Sequence, residues 1–218
     1  MEHKLLITKD KSNTIYSYNF DDIYHSKHGS INEAYHVFIK NGLLSDSRNK
    51  KEILEIGFGS GLNAMLTLIE AEKKLIKVNY HAVELYPLNK NILDKLNFCS
   101  LIDVNPKIFG KLHQNWNKSL KINNYFTITK YHTSVETYIS KNIKYDIIYF
   151  DAFSPSKQSE IWEENILKKM YDLLKKDGFL VTYCAKGIVK RRMKKIGFNL
   201  LTLDGPPGKR EMIKAKKS

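Results

Sequence analysis

Hydrophobic positions follow two alternating periods along most of this chain, which predicts strands and helices in turn. From residue 51, short apolar runs typical of buried strands alternate with segments whose apolar residues recur every three to four positions. The predicted strands are "EILEIG", "KVNYHAVEL", "YFTITK", "YDIIYF", "GFLVTYC", "FNLLTL" and "REMIKA", of which the last two form an antiparallel hairpin through "DGPPGK". This order predicts an α/β fold, with a mostly parallel sheet, helices on both faces and a terminal antiparallel hairpin.

The helices between these strands are predicted from apolar spacing and from residues typical of helix ends. The first helix packs through Leu62, Met65, Leu66 and Ile69, and the second runs from Pro87 to Asn97. A helical crossing within 98–124, held by Trp116, precedes a short helix capped by Thr133 and Glu136 that ends near Asn142. The last two are a helix from Ser159 to Gly178 and a basic helix that ends at Gly197.

The first 45 residues have a different pattern from the rest. "KLLIT" and "TIYSY" flank the turn-forming "KDKSN", which predicts a hairpin. A short helix follows, with Ser30 and Glu33 spaced as a capping box and Gly42 beyond its end. We therefore expect an N-terminal extension over residues 1–45, packed on a main domain over residues 46–218.

One predicted strand ends on a carboxylate. "YDIIYF" is apolar enough for a strand covered on both faces, yet Asp151 follows it, and then the turn formers Ser154 and Pro155. Ligands of open parallel sheets bind in the crevice outside the carboxyl ends of the strands. We therefore expect Asp151 to face a binding site.

A glycine-rich loop follows the first strand of the predicted sheet. "LEIGFGSGLN" places Gly57, Gly59 and Gly61 where a ligand can approach the backbone closely. The dinucleotide-binding pattern has a third glycine where this chain has Leu62, so nicotinamide or flavin binding is disfavoured. A Walker phosphate loop is excluded, because no Gly-Lys-Ser/Thr sequence follows.

Two acids near this loop indicate the kind of ligand. Glu84 ends the second strand, where a carboxylate can accept hydrogen bonds from both hydroxyls of an adenosine ribose. Glu55 lies inside the apolar first strand and needs a partner, such as the ammonium group of a bound amino acid. A ligand with both portions is S-adenosylmethionine, which we expect as the cofactor.

Composition narrows the class of protein. The 218 residues are 42% hydrophobic and 27% charged, as in one globular, soluble domain. We expect a cytoplasmic protein, because neither a signal peptide nor an apolar run long enough to span a membrane is present. Cys99 and Cys184 lie far apart and outside any metal-binding pattern, so we expect no metal and no disulfide.

The net charge of +13 indicates a nucleic-acid partner, since Lys and Arg neutralise phosphates. There are 32 lysines and only four arginines in a chain also rich in Ile and Asn, so background composition explains part of this charge. Three of the arginines, Arg191, Arg192 and Arg210, lie near the C-terminus, where most of the excess positive charge is found. Guanidinium groups suit bidentate phosphate contacts.

These features resemble a class I S-adenosylmethionine-dependent methyltransferase, and more closely the MnmC-type tRNA methyltransferase family. The resemblance covers nearly the whole chain and is carried by "YHSKHGSINEAYHVFI", "LEIGFGSGLN", "DAFSPSKQSEIW" and "GPPGKREM". It implies N-methylation of the 5-aminomethyl group of (2-thio)uridine at the tRNA wobble position, giving 5-methylaminomethyl-2-thiouridine. It further implies binding of the anticodon stem-loop and a functional link to an enzyme that makes the amine. The flavin-dependent oxidase half found in bifunctional relatives is expected to be absent, so no flavin is expected.

The resemblance also implies site residues. The cofactor site would contain Glu55, Gly57, Phe58, Gly59, Gly61, Asn63, Glu84 and Asp151, with Asp151 as the catalytic residue beside the reacting methyl group. Many methyltransferases have Asp on the adenine side, where "YHTSVE" offers Ser134 and Glu136. The tRNA would contact Tyr24, His25, Ser26, Phe153, Pro155, Lys157, Lys186, Arg191, Arg192, Lys209 and Arg210, with Trp162 as a further stacking candidate.

Two other functions remain open at this point. A methyltransferase or aminopropyltransferase of the same fold could act on a small-molecule amine, which would favour an acidic pocket and need no basic face. A noncatalytic RNA-binding protein could use this fold as a scaffold, but it should lack the complete cofactor set. The chain retains the glycine loop, Glu84 and Asp151.

Overall fold

A computed structural model describes residues 2–218 and contains two sheets. The smaller sheet is antiparallel and consists of β1 (His3–Ile7), β2 (Asn13–Ser17) and β3 (Asp22–Ile23), with β2 in the middle. The predicted N-terminal hairpin is therefore confirmed. The boundary that we placed after residue 45 stays a prediction.

The larger sheet carries the site. Across residues 2–218 its strands lie in the order β10-β11-β9-β8-β4-β5-β7-β6. The five strands from β9 to β7 are parallel, β11 is antiparallel to both of its neighbours, and β6 is antiparallel to β7. Their bounds are β4 (Lys50–Ile56), β5 (Lys77–Glu84), β6 (Ser119–Lys121), β7 (Phe126–His132), β8 (Tyr145–Phe150), β9 (Leu174–Thr182), β10 (Asn199–Asp204) and β11 (Glu211–Lys216). The predicted Rossmann-like sheet with its terminal hairpin is confirmed.

The helices cover both faces of this sheet. In chain order they are α1 (Ser30–Ala34), continued by a π-helical turn (Tyr35–Lys40), a 3-10 turn (Leu43–Ser45), α2 (Leu62–Lys73), α3 (Lys90–Leu93), α4 (Phe98–Leu101), α5 (Pro106–Leu112), a second 3-10 turn (Ser159–Trp162), α6 (Glu164–Leu173) and α7 (Gly187–Ile196). Within residues 2–218, no helix is both long enough and apolar enough to cross a membrane.

Strand β8 shows how the core positions the site. All six of its residues are buried. Ile147 and Tyr149 pack in the cluster that includes the inner face of α2, whereas Ile148 and Phe150 pack in the cluster that includes α6. Because both faces are covered, the strand holds the residue that follows it, Asp151, at a defined place at the edge of the sheet.

The predicted capping box at α1 is wrong. Ser30 is the first helical residue, the N-cap is Gly29, and no side chain caps the helix. The Ser30 hydroxyl instead donates to the Asn13 carbonyl at 2.9 Å, and the Glu33 carboxylate accepts the Ser26 amide at 2.6 Å. Tertiary partners have replaced the local hydrogen bonds that the spacing predicted.

Two predicted helices are shortened or missing. Only Lys90–Leu93 of the segment from 87 to 97 is helical, because Asn89 caps the helix there and Asn97 hydrogen-bonds to Asn13. No helix follows Thr133, whose hydroxyl hydrogen-bonds to that of Thr137 at 2.8 Å in a series of turns. The capping box predicted from Thr133 and Glu136 is therefore wrong as well.

The helix predicted from Ser159 to Gly178 ends at Leu173. Leu174 already belongs to β9, where it pairs with Tyr145, and Lys175 donates to the Asp146 carboxylate at 2.9 Å. Gly178 allows a close backbone approach instead of ending a helix, since an added Cβ would lie 3.0 Å from two carbonyl oxygens.

The crossing predicted within 98–124 is only partly helical. It contains the short helices α4 and α5, and it then forms the edge strand β6. Trp116 packs against the main hydrophobic cluster, as expected for a residue that holds this segment. Three residues of antiparallel pairing carry too little periodicity to be detected in a single sequence.

Candidate active site

A pocket lies at the carboxyl ends of β4, β5, β8 and β9. Its empty volume is about 810 Å³, including the part open to solvent, which suits a small-molecule or cofactor site. The wall brings together many of the residues predicted from the sequence. They are Tyr24, His25, Gly57, Phe58, Gly59, Asn63, Glu84, Asp151 and Phe153.

Glycines are required in the loop between β4 and α2. Gly57 has a φ of 88°, and an added Cβ would lie 2.3 Å from the Asp151 carbonyl oxygen. Gly59 has a φ of 49° and faces the Tyr24 ring at 3.1 Å. Positive φ favours glycine at both positions, and at Gly57 the Asp151 carbonyl leaves no room for a side chain.

The Glu84 carboxylate organises the loop from the neighbouring strand. Its Oε2 accepts the Gly59 amide at 2.9 Å, and its Oε1 accepts the Tyr86 amide at 2.7 Å. Burial raises the pKa of Glu84, and the backbone amide donors oppose that rise. Each oxygen keeps a further lone pair, which fits the predicted contact with ribose hydroxyls.

Asn63 connects two carboxyl groups at the base of the pocket. Its Nδ2 donates to Glu55 Oε1 at 2.9 Å and to Asp151 Oδ2 at 2.8 Å. Glu55 is fully buried behind Asn63 and is not part of the wall; burial raises its pKa well above the usual range. Gly61, also predicted at the site, caps α2 outside the wall.

Two acceptors in this group have no hydrogen-bond partner within residues 2–218. They are Asn63 Oδ1 and Glu55 Oε2, and both are buried. Unpaired buried acceptors are costly, and each such atom calls for a donor. Because Asn63 lines the pocket, we expect its Oδ1 to meet a donor on a bound ligand, such as an ammonium group.

Asp151 combines enclosure with a shifted acidity. Burial, together with the nearby negative charge of Glu33, raises the pKa of Asp151 to about 7, while the hydrogen bond from Asn63 and the positive charge of Lys209 limit the rise. A carboxyl group with this pKa can accept and release a proton near neutral pH. Such a group in a cleft is typical of acid-base or orienting roles in active sites.

Aromatic rings close the mouth of the pocket. Phe153 stacks on Phe20 with 4.4 Å between ring centroids, and Tyr24 meets Phe153 edge-on at 5.2 Å. An ion pair between Lys157 and Asp21, 2.7 Å apart, holds the same two loops together. The N-terminal sheet thus contributes directly to the wall.

His25 does not present its ring as a stacking surface. It is buried, its Nε2 hydrogen-bonds to the Ser60 hydroxyl at 3.2 Å, and its ring meets Phe98 edge-on. Burial lowers the pKa of His25 to about 4, and the charge of Lys209 lowers it further while Glu33 opposes the shift. The imidazole is therefore neutral at physiological pH.

Several wall residues were not predicted from the sequence, namely Phe20, Leu85, Tyr86, Gln158, Ile161 and Tyr183. Tyr183 follows β9 much as Asp151 follows β8, and its hydroxyl donates to the Ala152 carbonyl at 2.8 Å. Its place next to the last residue of the predicted strand "GFLVTYC" was a usable signal, although a tyrosine there is more often part of a core.

Most predicted tRNA contacts lie outside the pocket on the surface around it. Lys186 donates to the Ser156 hydroxyl at 3.1 Å, Arg192 pairs with Glu163, and Lys209 pairs with Glu33. Arg191 and Arg210 are exposed and form no ion pair within residues 2–218. Ser26 and Pro155 are half-buried in turns beside the mouth, and Trp162 is fully buried against Phe150.

The two residues predicted near the adenine lie apart from this wall. Ser134 and Glu136 are in the turns after β7, where the Thr137 amide donates to the Ser134 hydroxyl at 3.3 Å. Glu136 is exposed. Their cofactor role stays a prediction.

No metal site competes with this interpretation. Across residues 2–218, no group of three or more His, Cys, Asp or Glu side chains is arranged to hold a metal ion. The two cysteines are free thiols, Cys184 buried and Cys99 partly exposed.

Comparisons with known proteins identify the family of this chain. Residues 106–218 match the family model of an S-adenosyl-L-methionine-dependent methyltransferase. The tRNA 5-methylaminomethyl-2-thiouridine biosynthesis bifunctional protein MnmC of Marinomonas sp. is 32% identical over 90% of this chain and 31% of its own length. The protein of the same name from Leptospira interrogans is 31% identical over 95% of this chain and 34% of its own length. The chain thus spans about a third of the curated relatives it matches.

A solved structure supports the fold independently. MnmC2 from Aquifex aeolicus aligns over 100% of this chain and 70% of its own, with a TM-score of 0.78 at 20% identity. At that identity the similarity concerns the fold.

Proposed function

This chain belongs to the S-adenosyl-L-methionine-dependent methyltransferase family, and on that premise we propose that it methylates the primary amine of 5-aminomethyl-(2-thio)uridine at the wobble position of tRNA. The product is the 5-methylaminomethyl nucleoside. We further propose that the anticodon stem-loop binds across the pocket mouth, and that a separate enzymatic activity supplies the amine.

The substrate class is supported by the relatives and by charge. The curated relatives are named for the biosynthesis of 5-methylaminomethyl-2-thiouridine in tRNA. Exposed Arg191 and Arg210 provide cationic groups that are free to meet phosphates, in a chain with a net charge of +13. A small-molecule amine would require no such basic surface.

The observation that carries the proposal is the position of Asp151. Its carboxyl group lines the pocket beside the glycine loop and hydrogen-bonds through Asn63 to the buried Glu55. A carboxyl group with a pKa near 7 suits an amine acceptor, because it can orient an ammonium group and also take its proton.

The wall has groups that fit S-adenosylmethionine. Glu84 offers a carboxylate to the ribose hydroxyls, Asn63 Oδ1 offers an unpaired acceptor to the ammonium group, and Gly57 and Gly59 permit close approach. When bound, the cofactor supplies a methyl group on a positively charged sulfur. The residues of this chain bind it, exclude water and hold the acceptor nearby.

The acceptor determines what Asp151 must do. A primary alkylamine is mostly protonated at neutral pH, and it must lose one proton before its lone pair can form a bond to carbon. In its ionised form, Asp151 holds the ammonium group by a charge-assisted hydrogen bond and is placed to receive that proton. Because a nearby carboxylate also stabilises the ammonium form, orientation is the larger part of this role.

The proposal is tested with tRNA that carries the unmethylated amine, isolated from cells lacking this activity. After incubation with the protein and S-adenosylmethionine, the tRNA is digested and its nucleosides are analysed by mass spectrometry. We expect the 5-aminomethyl nucleoside to be converted to the product one methyl group heavier. An Asp151→Asn variant serves as the low-activity control, and a small-molecule diamine as the competing acceptor.

Two outcomes would contradict the proposal. The first is a protein that binds S-adenosylmethionine by calorimetry yet leaves the nucleoside unchanged. The second is efficient methylation of the diamine in place of the tRNA.

A further inference from the structure

The two ends of the chain meet beside the pocket. Glu33 of α1 forms an ion pair with Lys209, which lies 176 residues later in the turn between β10 and β11. Gly208 packs on the His28 ring so tightly that an added Cβ would lie 2.1 Å from it. His36 hydrogen-bonds through Nε2 to the Asp204 carbonyl at 2.8 Å. These contacts fix the N-terminal extension against the turn of the terminal hairpin.

The contacts continue from Lys209 to the residue next to Asp151. The Lys209 ammonium group lies 4.4 Å from the centroid of the Tyr183 ring. The Tyr183 hydroxyl donates to the Ala152 carbonyl at 2.8 Å, and Tyr183 lines the pocket. Glu33, Lys209, Tyr183 and Ala152 thus form a continuous chain of contacts that ends at the carbonyl group of the residue after Asp151.

Glu33 is better suited to this internal role than to contact with solvent or RNA. Its side chain is only 9% exposed, and its second oxygen accepts the Ser26 amide at 2.6 Å. Removing the cation of such a pair leaves a buried carboxylate without compensation, which is costly. The Lys209 ammonium group is therefore held in the ion pair with Glu33, whereas its exposed neighbour Arg210 is free to contact a phosphate.

We propose that Glu33 and Lys209 are positioning residues for amine methylation, whose ion pair holds Tyr183 and the Ala152 backbone so that Asp151 faces the acceptor amine. This inference rests on the proposed function. It assigns Lys209 to an ion pair beside the site, where the sequence predicted a contact with tRNA, and it gives Glu33 a role that the capping pattern did not indicate.

The two charges also act on Asp151 in opposite directions. Glu33 raises the pKa of Asp151, and Lys209 lowers it. The other titratable groups that interact electrostatically with Asp151 are Glu55 on β4, Tyr80 on β5 and Tyr183 at the end of β9, while Asn63 on α2 donates a hydrogen bond to it. Burial raises the pKa of each of those three groups, and Tyr80 and Tyr183, whose usual pKa is already about 10, are therefore neutral at pH 7. Glu33 and Lys209 thus shift the pKa of Asp151 in opposite directions, in addition to the larger rise that burial causes.

The test compares pH profiles of kcat/KM for two variants that remove one charge each. With Lys209→Met, the acidic limb should move to higher pH, and with Glu33→Gln it should move to lower pH, each by about 0.5–1 unit. In both variants kcat should fall by about 10- to 100-fold, because the acceptor is misplaced, while the affinity for tRNA changes little. Opposite shifts are not expected from a pair that only stabilises the fold.

Two matched variants complete the design. Lys195→Met also removes a lysine from the basic C-terminal region, but its partner is Glu164 on α6 and it contacts none of the pocket wall. Lys195→Met should leave both the acidic limb of the kcat/KM profile and kcat unchanged. Lys209→Arg retains the charge, so the acidic limb of its kcat/KM profile should lie at the wild-type pH. Comparing Lys209→Met with Lys209→Arg therefore tests the positioning role even if Glu33→Gln fails to fold.

The outcomes separate this inference from the function on which it rests. An unshifted limb in Lys209→Met, or a loss confined to KM for tRNA, would overturn the positioning role while the methylation stands. A wild-type protein that binds the cofactor and leaves the tRNA amine unmodified would overturn both.

Discussion

The two ends of strand β8 carry aspartates in opposite situations. Asp146, at the amino end, is 2% exposed and accepts hydrogen bonds from Arg48 Nη1 at 2.7 Å, Lys175 Nζ at 2.9 Å and the Glu52 amide at 2.7 Å. Two cations and a backbone donor thus neutralise this carboxylate inside the fold. Its bonding capacity is used by the protein itself.

Asp151, beyond the carboxyl end, has fewer hydrogen-bond and ion-pair partners than Asp146. Within residues 2–218, Asn63 provides its hydrogen bond at 2.8 Å, and no cation lies within ion-pair distance. Burial without full compensation gives Asp151 the raised pKa described above. The same residue type on the same strand therefore stabilises the protein at one end and remains available for a ligand at the other.

Replacing Asp151 should have the largest effect on activity. Asp151→Asn keeps the size of the side chain but removes its charge and its ability to accept a proton, so we expect kcat to fall about 10²- to 10⁴-fold. Cofactor affinity, measured by calorimetry, should change little. Full turnover in this variant, measured with tRNA carrying the amine, would remove Asp151 from the site.

The pH dependence of kcat/KM in the wild-type protein tests the same role of Asp151. Asp151 is ionised above about pH 7, so kcat/KM should rise with pH through that value, and the limb should be lost from the residual activity of Asp151→Asn. The pKa of Asp151 in the folded protein lies above the usual 3.8, so the folded state binds this proton more tightly than the unfolded chain does. Asp151 therefore contributes stability that is fully present below about pH 3.8 and is lost as pH rises through about 7. Denaturant unfolding at pH 5 and pH 8 should therefore differ less in the variant.

Replacing Asp146 should lower stability and leave turnover unchanged, the reverse of what we expect for Asp151. Asp146→Asn leaves the partly exposed Arg48 and Lys175 without their shared anion, so we expect a loss of about 1–3 kcal/mol in the free energy of unfolding. Turnover of the folded protein should be unchanged. A variant that keeps its stability in urea but loses turnover would break the comparison between the two ends.

Asn63 should show an intermediate effect. Asn63→Leu removes the donor shared by Glu55 and Asp151 and the unpaired Oδ1 in the pocket, so we expect cofactor Kd to rise about 10-fold. The acidic limb of kcat/KM should move to higher pH, because the hydrogen bond from Asn63 lowers the pKa of Asp151.

The chain offers a matched control for Asn63. Asn79 also donates to a glutamate, Glu52, at 2.7 Å, but both lie on the sheet away from the pocket wall. Asn79→Leu should leave cofactor affinity unchanged. Equal losses in the two variants would mean that Asn63 acts only through the stability of the fold.

The smallest effect is expected at Lys175. Its side chain is 40% exposed and Asp146 keeps Arg48 and the Glu52 amide, so Lys175→Met should cost about 0.5–1 kcal/mol in urea unfolding. A loss as large as that of Asp146→Asn would show that Lys175 carries most of the interaction.

Much of the site could be predicted because the signals are local. The apolar run of β8 predicts a buried strand, and the polar residue that follows it must then face the edge of the sheet, as Asp151 does. Gly57 and Gly59 likewise reflect local backbone requirements. Tyr183 follows the same logic at the end of β9, but its aromatic ring made a core position equally consistent with the sequence.

The errors occurred where distant segments compete with local preferences. Ser30 and Glu33 have capping spacing, yet Ser30 bonds to Asn13 and Glu33 pairs with Lys209. The helix predicted to continue through Lys175 stops at Leu173, because the next residues pair with β8. Hydrogen bonds and burial gained from remote partners outweigh propensities of a few tenths of a kcal/mol per residue.

The sequence by itself determined the main strands of the large sheet, the helix after the first of them, the glycine loop and the placement of Asp151 at the end of a buried strand. These features depend on hydrophobic periodicity and on backbone conformation, which neighbouring residues set. The tertiary structure alone decided which charges are satisfied: Asp146 by Arg48 and Lys175, and Glu33 by Lys209. Charge pairing and desolvation depend on distances between segments far apart in the chain, and those distances exist only once the chain has folded.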